Sequence, residues 1–366
     1  MTPRVRVTHR DIAARTGFDK STVSLALRGS PKIAEATRRT IQEAAEALGY
    51  RPDPIVAALA RQRWMRTETG HGAAIAYLVE RTKGNYSLQH QYCQAAHARA
   101  EERGYILSEF DLTDYPSGAA ASRALYHRGI RGLVLPSMPS DADGDFDGFD
   151  WEKFTVVCCS VGWLRMPFHI VTTDMFESTR RAWRELTARG YRRIGAALFR
   201  HTPIAIDDHT RLGASYAEQC ELDSTHERVP FLRCDPSDRA SFLKWFETHR
   251  PDAVIGLFPT AAQWLREAGV KIPEEVGFLS LHAFSDHPEA GLCMQRQLVA
   301  RTAIDLLISQ IQENQWSVPS VQHVVHVRPP WQEGNTLRKV STPTPETSAA
   351  GWAGARVPET FPLAGG

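Results

Sequence analysis

No stretch of the 366 residues approaches the ~18 uninterrupted apolar positions of a membrane-crossing helix, so a spanning segment is not expected. Cysteine is sparse. Cys93, Cys158, Cys159, Cys220, Cys234 and Cys293 form no CxxC pair, which argues against a disulfide frame or zinc site and for reduced thiols in a reducing compartment. The HExxH and GxSxG motifs of metal and serine hydrolases are absent. Gly17-Phe-Asp-Lys20-Ser21-Thr22 has some letters of a phosphate loop, but it lacks the glycine before the lysine and follows no strand. Neither a cofactor nor a metal is expected, and the chain does not read as an enzyme. Met1 to Arg6 lacks the apolar stretch and small-residue cleavage site of a secretory signal, which predicts a cytoplasmic protein. Asn85-Tyr-Ser is then a glycosylation sequon by letters only.

What is present suits folded domains: 42% hydrophobic and 23% charged residues, on a chain long enough for roughly two or three domains of 100 to 200 residues. The formal net charge of +1 hides an asymmetry. Residues 1–66 hold 13 Lys and Arg against 6 Asp and Glu, whereas the other 300 hold 30 against 36. A basic head on a mildly acidic body suggests a polyanion-binding module, because nucleic acid attracts Lys and Arg through phosphate charge and counterion release.

Local signals place three short helices in that head. Thr8 and Asp11 frame the start of His9–Thr16 as a near capping box, and Gly17 stops it. Asp19 caps Lys20–Leu27, which Gly29, Ser30 and Pro31 end; a third helix runs from Glu35 to Leu48. Ile12, Ala13, Val23, Leu27, Ile41, Ala45 and Leu48 recur at helical spacing and predict one small core. Two helices joined by a glycine-containing turn are the helix-turn-helix signature, whose second helix enters the major groove.

Gly49-Tyr-Arg-Pro-Asp-Pro54 breaks the pattern, and Ile55 to Arg63 reads as a linker with helix potential. From Ala73 the chain alternates apolar strands with amphipathic helices: strands at 75–79, 105–109, 132–136, 155–160, 170–173, 194–199, 229–233, 253–257 and 276–281. This α/β alternation implies two layers of parallel sheet, which bind ligands at the carboxyl ends of their strands. The expected division is a head at 1–52, a hinge and linker at 53–72, a body at 73–340 and a Pro/Gly-rich disordered tail at 341–366.

The segments Val7-Thr-His-Arg-Asp-Ile-Ala-Ala-Arg-Thr-Gly-Phe-Asp-Lys-Ser-Thr-Val-Ser-Leu-Ala-Leu-Arg-Gly-Ser-Pro31, Thr37-Arg and Leu48-Gly-Tyr-Arg-Pro-Asp53 closely resemble the head of a LacI/GalR-type transcriptional regulator. Thr173-Asp174 and Leu186 to Gly195 echo that family's two-lobed, periplasmic-binding-protein-like body. The resemblance implies that Lys20, Ser21 and Leu25 read base edges, while Thr8, Thr22, Ser24, Arg28, Thr37 and Tyr50 hold phosphates. Two departures matter. Leu25 stands where many members carry Arg, replacing a bidentate guanine contact by an apolar one, and Asp19 replaces a common Ser, setting a carboxylate beside the phosphate path. In the family the linker folds into a hinge helix that wedges a Leu into the minor groove; Leu59 matches that position with Val56 and Ala58 nearby, the alternative being that they pack on the body. Asp53 stands where Asn is frequent at the start of that helix.

For the body the resemblance implies an effector site. Arg211 matches an effector-clamping arginine, with a surface ion pair as the alternative. His282 falls where sugar-binding relatives carry Asp, and Phe258-Pro259 replaces an Asn-Asp pair, which argues against a plain neutral hexose and toward a modified or acidic sugar or another anion. Trp163 and Phe284 either stack on the ligand or belong to the core. Asp207-Asp208-His209 has metal-ligating letters, but acidic residues entering a helix account for them. The expected protein is a homodimeric repressor that binds an inverted-repeat operator in double-stranded DNA under control of a small-molecule effector. The alternatives are a regulator whose degenerate body senses nothing or answers to a protein partner and, last, a sugar- or nucleotide-active enzyme with an appended head.

Overall fold

The computed structural model describes residues 7–27, 33–50, 73–79, 86–136, 148–160, 167–200, 206–284 and 287–339. The expected hinge helix, the tail and the Gly29-Ser30-Pro31 stop lie outside these residues.

The head contains α1 (His9–Thr16), α2 (Lys20–Leu27) and α3 (Glu35–Ala47). Asp11 accepts the Thr8 N–H at 2.7 Å and the Thr8 hydroxyl at 2.8 Å, tying down the start of α1. At its end Gly17 takes the left-handed conformation, φ 76°, and donates to the Ala13 carbonyl. Ile12, Val23, Ala26, Ile41 and Ala45 close the core, with Ala13, Leu27 and Leu48 partly buried around it as the spacing predicts. Phe18, Ile33 and Tyr50, from the segments flanking the helices, also pack there.

The remaining elements, in chain order, are β1 (Ala73–Val79), α4 (Tyr86–Glu102), β2 (Tyr105–Asp111), α5 (Gly118–His127), β3 (Gly132–Leu135), β4 (Thr155–Cys159), β5 (His169–Thr173), α6 (Met175–Ala188), β6 (Ile194–Ala197) and α7 (Ile206–Glu221). They continue with α8 (Arg239–His249), β7 (Ala253–Gly256), α9 (Thr260–Glu267), β8 (Gly277–Ala283), β9 (Ala290–Cys293), α10 (Arg296–Gln312), β10 (Val324–Val327) and β11 (Trp331–Gln332). The chain divides into a first unit of residues 1–178, 199–214 and 294–330, and a second of 179–198, 215–293 and 331–366.

The first unit carries a six-stranded sheet in the order β10-β5-β4-β3-β1-β2, parallel throughout. Alternate residues of β1 enter different cores. Ile75, Tyr77 and Val79 pack with Cys93, Ala96 and Ala100 of α4 and with Val299 to Ile308 of α10, whereas Ala76 and Leu78 pack with Ala121 and Leu125 of α5. Both sheet faces are thus covered by helices, which is why the strands read as continuous apolar runs.

The second unit has a five-stranded sheet in the order β11-β9-β8-β7-β6. Its β11 runs antiparallel to β9, a departure from an all-parallel layer. The segment expected as a strand at Val229–Arg233 contributes a single bridge, Leu232 to Ala197, because Pro230 has no N–H to extend a ladder. Strands β9, β10 and β11 are not foreseen in the sequence. Ala290–Cys293 contains Gly291, where an added Cβ falls 1.9 Å from the Ser280 carbonyl oxygen, so the close pairing with β8 requires a residue with low strand propensity. Among the described residues no helix is long and apolar enough to cross a membrane.

Candidate nucleic-acid interface and ligand residues

Helix α2 turns one side, Val23 and Ala26, into the head core. At about 100° per residue this directs Ser21, Ser24 and Leu25 away from the core, with Lys20 flanking it at the start of the helix. Lys20 and Ser21 are exposed and Ser24 and Leu25 half-buried, so of the three side chains expected to read bases Ser21 and Leu25 share the outward face and Lys20 stands exposed beside it.

The residues expected to hold phosphates are less uniform. Tyr50 bonds through its hydroxyl to His9 Nε2 at 2.7 Å, which fixes the end of the head against α1. Thr37 sits half-buried in the first turn of α3. The Thr8 hydroxyl is directed at Asp11, and that of Thr22 at Asp19, at 2.7 Å. Arg28, Val56, Ala58, Leu59 and Trp163 lie outside the described residues.

In the first unit Arg211 departs from the surface-pair alternative. It projects from α7, only 2% exposed, and bonds Asp208 Oδ1 at 2.5 Å, one turn earlier on the same helix. Its Nε has no hydrogen-bond partner among the described residues. Burial depresses the guanidinium pKa, against the opposing pull of Asp207 and Asp208. Asp207 and Asp208 occupy the first turn of α7, where acidic side chains complement the helix dipole.

His282 and Phe284 belong to the second unit. The His282 ring lies edge-on to Phe258 at 5.2 Å, and its backbone N–H donates to the Leu257 carbonyl at 3.0 Å. Both rings therefore stand at the carboxyl ends of β7 and β8, the side of a parallel sheet where ligands bind. Phe284, half-buried, packs on His287 at 5.4 Å. The Phe258–His282 contact is invisible to sequence reasoning because the two residues are 24 positions apart.

Sequence reasoning also misses a polar group inside the first unit. Tyr77 is fully buried, its hydroxyl has no hydrogen-bond partner among the described residues, and burial raises its pKa with Cys159 and Cys93 adding to the shift. Cys93 and His97, one turn apart on α4, meet Glu109 of β2 with their ligand atoms within 4.8 Å of one another. They could hold a metal, but the Cys93 thiol, kept protonated by burial and then by Glu109, already hydrogen-bonds that carboxylate. The signal was an i, i+4 pair completed by a strand residue, not a CxxC spacing. A hollow of about 300 Å³ beside Thr155 and His169 lies at the amino ends of β4 and β5, the wrong end for a ligand in a parallel sheet.

Comparison with known proteins places both parts of the chain. Residues 8–53 match the family of bacterial regulatory proteins of lacI type, and residues 183–330 match the periplasmic binding protein-like domain. The HTH-type transcriptional regulator PtxS of Pseudomonas plecoglossicida is 24% identical over 325 residues, covering 85% of this chain and 91% of that protein. Two solved structures share the fold. The transcriptional regulator CelR–cellobiose complex is 18% identical with a TM-score of 0.55, covering 90% of this chain and all of that one. The lac repressor dimer bound to operator and the anti-inducer ONPF is 16% identical with a TM-score of 0.55, covering 91% of this chain and 100% of that one. With residues 8–53 matching the lacI-type head and residues 183–330 the periplasmic binding protein-like domain, the chain is similar in both parts to LacI-type regulators and is a DNA-binding transcriptional regulator.

Proposed function

We propose that the protein is a cytoplasmic, homodimeric repressor that binds an inverted-repeat operator through two copies of the head and releases it in response to a small molecule, acting by binding and not by catalysis. The observation that carries this reading is the outward face of α2, where Ser21, Ser24 and Leu25 stand away from a closed core with the exposed Lys20 beside them. In that reading Thr8, Ser24, Arg28, Thr37 and Tyr50 lie along the phosphates, Thr22 being engaged by Asp19 instead, and Leu59, with Val56 and Ala58, forms the minor-groove wedge. A dimer places two recognition helices about one DNA turn apart, which is why an inverted repeat is expected. The test is selection from a random DNA pool by the purified full chain, repeated with metabolites; a single half-site from the intact protein overturns the dimer reading.

Leu25→Arg is expected to add a guanine preference of about 1 to 3 kcal/mol at one position of each half-site, because a guanidinium reaches O6 and N7 where Leu makes only apolar contact. Selection that returns the parental motif shows α2 docked in another register.

The effector reading rests on Arg211. A buried guanidinium with an unpaired Nε favours an acceptor-rich ligand such as a carboxylate, phosphate or pair of hydroxyls. His282, Phe284 and Trp163 are further proposed contacts. One similar structure is a complex with cellobiose, and another, 16% identical, with D-xylulofuranose, which supports a ligand of sugar size. We place a sugar acid or modified sugar first. Thermal unfolding of the full chain against sugars, sugar acids and nucleosides tests this, because any ligand of the native state raises the midpoint. The absence of any hit favours the second reading, a body that answers to no small molecule, for which Asp208 already engages the arginine.

A further inference from the structure

Asp19 does more than cap α2. Its carboxylate accepts the Ser21 N–H at 2.8 Å, the Thr22 N–H at 3.0 Å and the Thr22 hydroxyl at 2.7 Å, and it also accepts the Ser21 hydroxyl in a short bond. An ionised carboxylate has no proton to give, so both hydroxyl hydrogens point at Asp19. Donation from Ser21, and then from Thr22, holds the Asp19 carboxyl well below the usual carboxylate range, and the group stays charged at neutral pH.

This arrangement has two consequences on an exposed recognition surface. The Ser21 oxygen is left with only lone pairs to present outward. A serine hydroxyl normally reads any base, as donor or acceptor, but one whose proton is committed can only accept. In the major groove the hydrogen donors are the exocyclic amino groups, N6 of adenine and N4 of cytosine. Thr22, meanwhile, has both its N–H and its hydroxyl engaged by Asp19, so it keeps no donor for a phosphate oxygen, and the carboxylate repels that phosphate.

We propose that Asp19 is a specificity-determining residue that polarises Ser21 into an obligate acceptor for a base amino group and withholds Thr22 from the DNA backbone. The proposal rests on the reading of α2 as the recognition helix. Asp19 thereby lowers non-specific phosphate attraction at the same point where it narrows base choice.

The experiment uses the full chain, its Asp19→Asn and Asp19→Ser variants, and Ser21→Ala. Asn and Ser remain good N-caps, so α2 keeps its start while the charge is lost. The base pair facing Ser21 is the one whose preference disappears in Ser21→Ala. At that pair, removing the amino group from the major groove, by 2-aminopurine for adenine, which carries it in the minor groove, or 2-pyrimidinone for cytosine, is expected to weaken the unsubstituted protein roughly five- to a hundredfold. Ser21→Ala is expected to be indifferent to the same deletion. Asp19→Asn keeps an acceptor oxygen for the Ser21 hydroxyl and puts an amide where the other oxygen took the Thr22 hydroxyl, so it frees Thr22 alone, whereas Asp19→Ser, whose single hydroxyl caps the backbone, frees both. Asp19→Ser is expected to tolerate acceptor-only edges at that pair, and both variants to steepen the slope of log affinity against log salt by about one to two per dimer. An unsubstituted protein that ignores the missing amino group, Ser21→Ala that alters no position, or Asp19→Asn and Asp19→Ser variants that keep both the base preference and the salt slope each overturn the proposal. A protein that selects no DNA at all instead removes the reading beneath it, so the two failures are separable.

Discussion

Asp208→Ala is expected to lower the unfolding midpoint of the full chain by roughly 10 °C, from a loss of about 3 to 5 kcal/mol at about 2 to 4 °C per kcal/mol for a unit of this size. The reason is the partner left behind. Arg211 and Asp208 are each 2% exposed at the side chain and meet at 2.5 Å, and no side chain or carbonyl among the described residues satisfies the Arg211 Nε. Removing the carboxylate takes from a buried cation its hydrogen-bonded counter-ion, with only the field of Asp207 left of the two acidic neighbours, a larger cost than losing the pair itself. Arg211→Met with Asp208→Leu is therefore expected to be closer to the unsubstituted protein than Asp208→Ala is, because it removes both charges and refills the volume. Thermal circular dichroism of the three proteins decides. If Asp208→Ala melts within a degree or two of the parent, the arginine is held by something other than this pair. The comparison also bears on effector tests, since Arg211→Ala alone takes the guanidinium from the buried Asp208 and can lose response through instability.

Ile41→Ala is expected to reduce DNA binding, by up to several hundredfold for a dimer whose two heads are both destabilised, without disturbing the body. Ile41 is fully buried in a core whose closed part is five residues, and truncating an isoleucine in such a place costs about 2 to 5 kcal/mol. A domain this small rarely has more than about 3 to 5 kcal/mol to lose, so the head becomes largely unfolded and apparent affinity falls with the folded fraction. The neighbouring Gln42, exposed on the same helix, serves as the control, and Gln42→Ala is expected to bind as the parent does. All nine tryptophans lie beyond residue 50, so their fluorescence reports on the chain outside the head. An unchanged tryptophan melting curve beside lost DNA binding is the expected pair of results; retained binding would show that the three helices are held by more than their own core.

The sequence by itself determined the parts whose physics is local. Helix boundaries at His9–Thr16 and Lys20–Leu27 follow from caps, a left-handed glycine and apolar spacing within one or two turns, and they are found where those signals stand. The alternation of strand and helix likewise predicts α/β layers, and the outward face of α2 follows from which residues the core takes. Only the tertiary structure decided what depends on partners distant in sequence or on side-chain direction. Strand order, the antiparallel β11 and the close β8–β9 pairing at Gly291 are settled by packing between segments, not by propensity. The burial of Arg211 could not be read from its i, i−3 spacing to Asp208, since the same spacing on an exposed helix face gives an ordinary surface pair. Asp19 was legible as a cap. That it also takes the protons of Ser21 and Thr22, and so sets what each can offer to DNA, required the positions of three side chains at once.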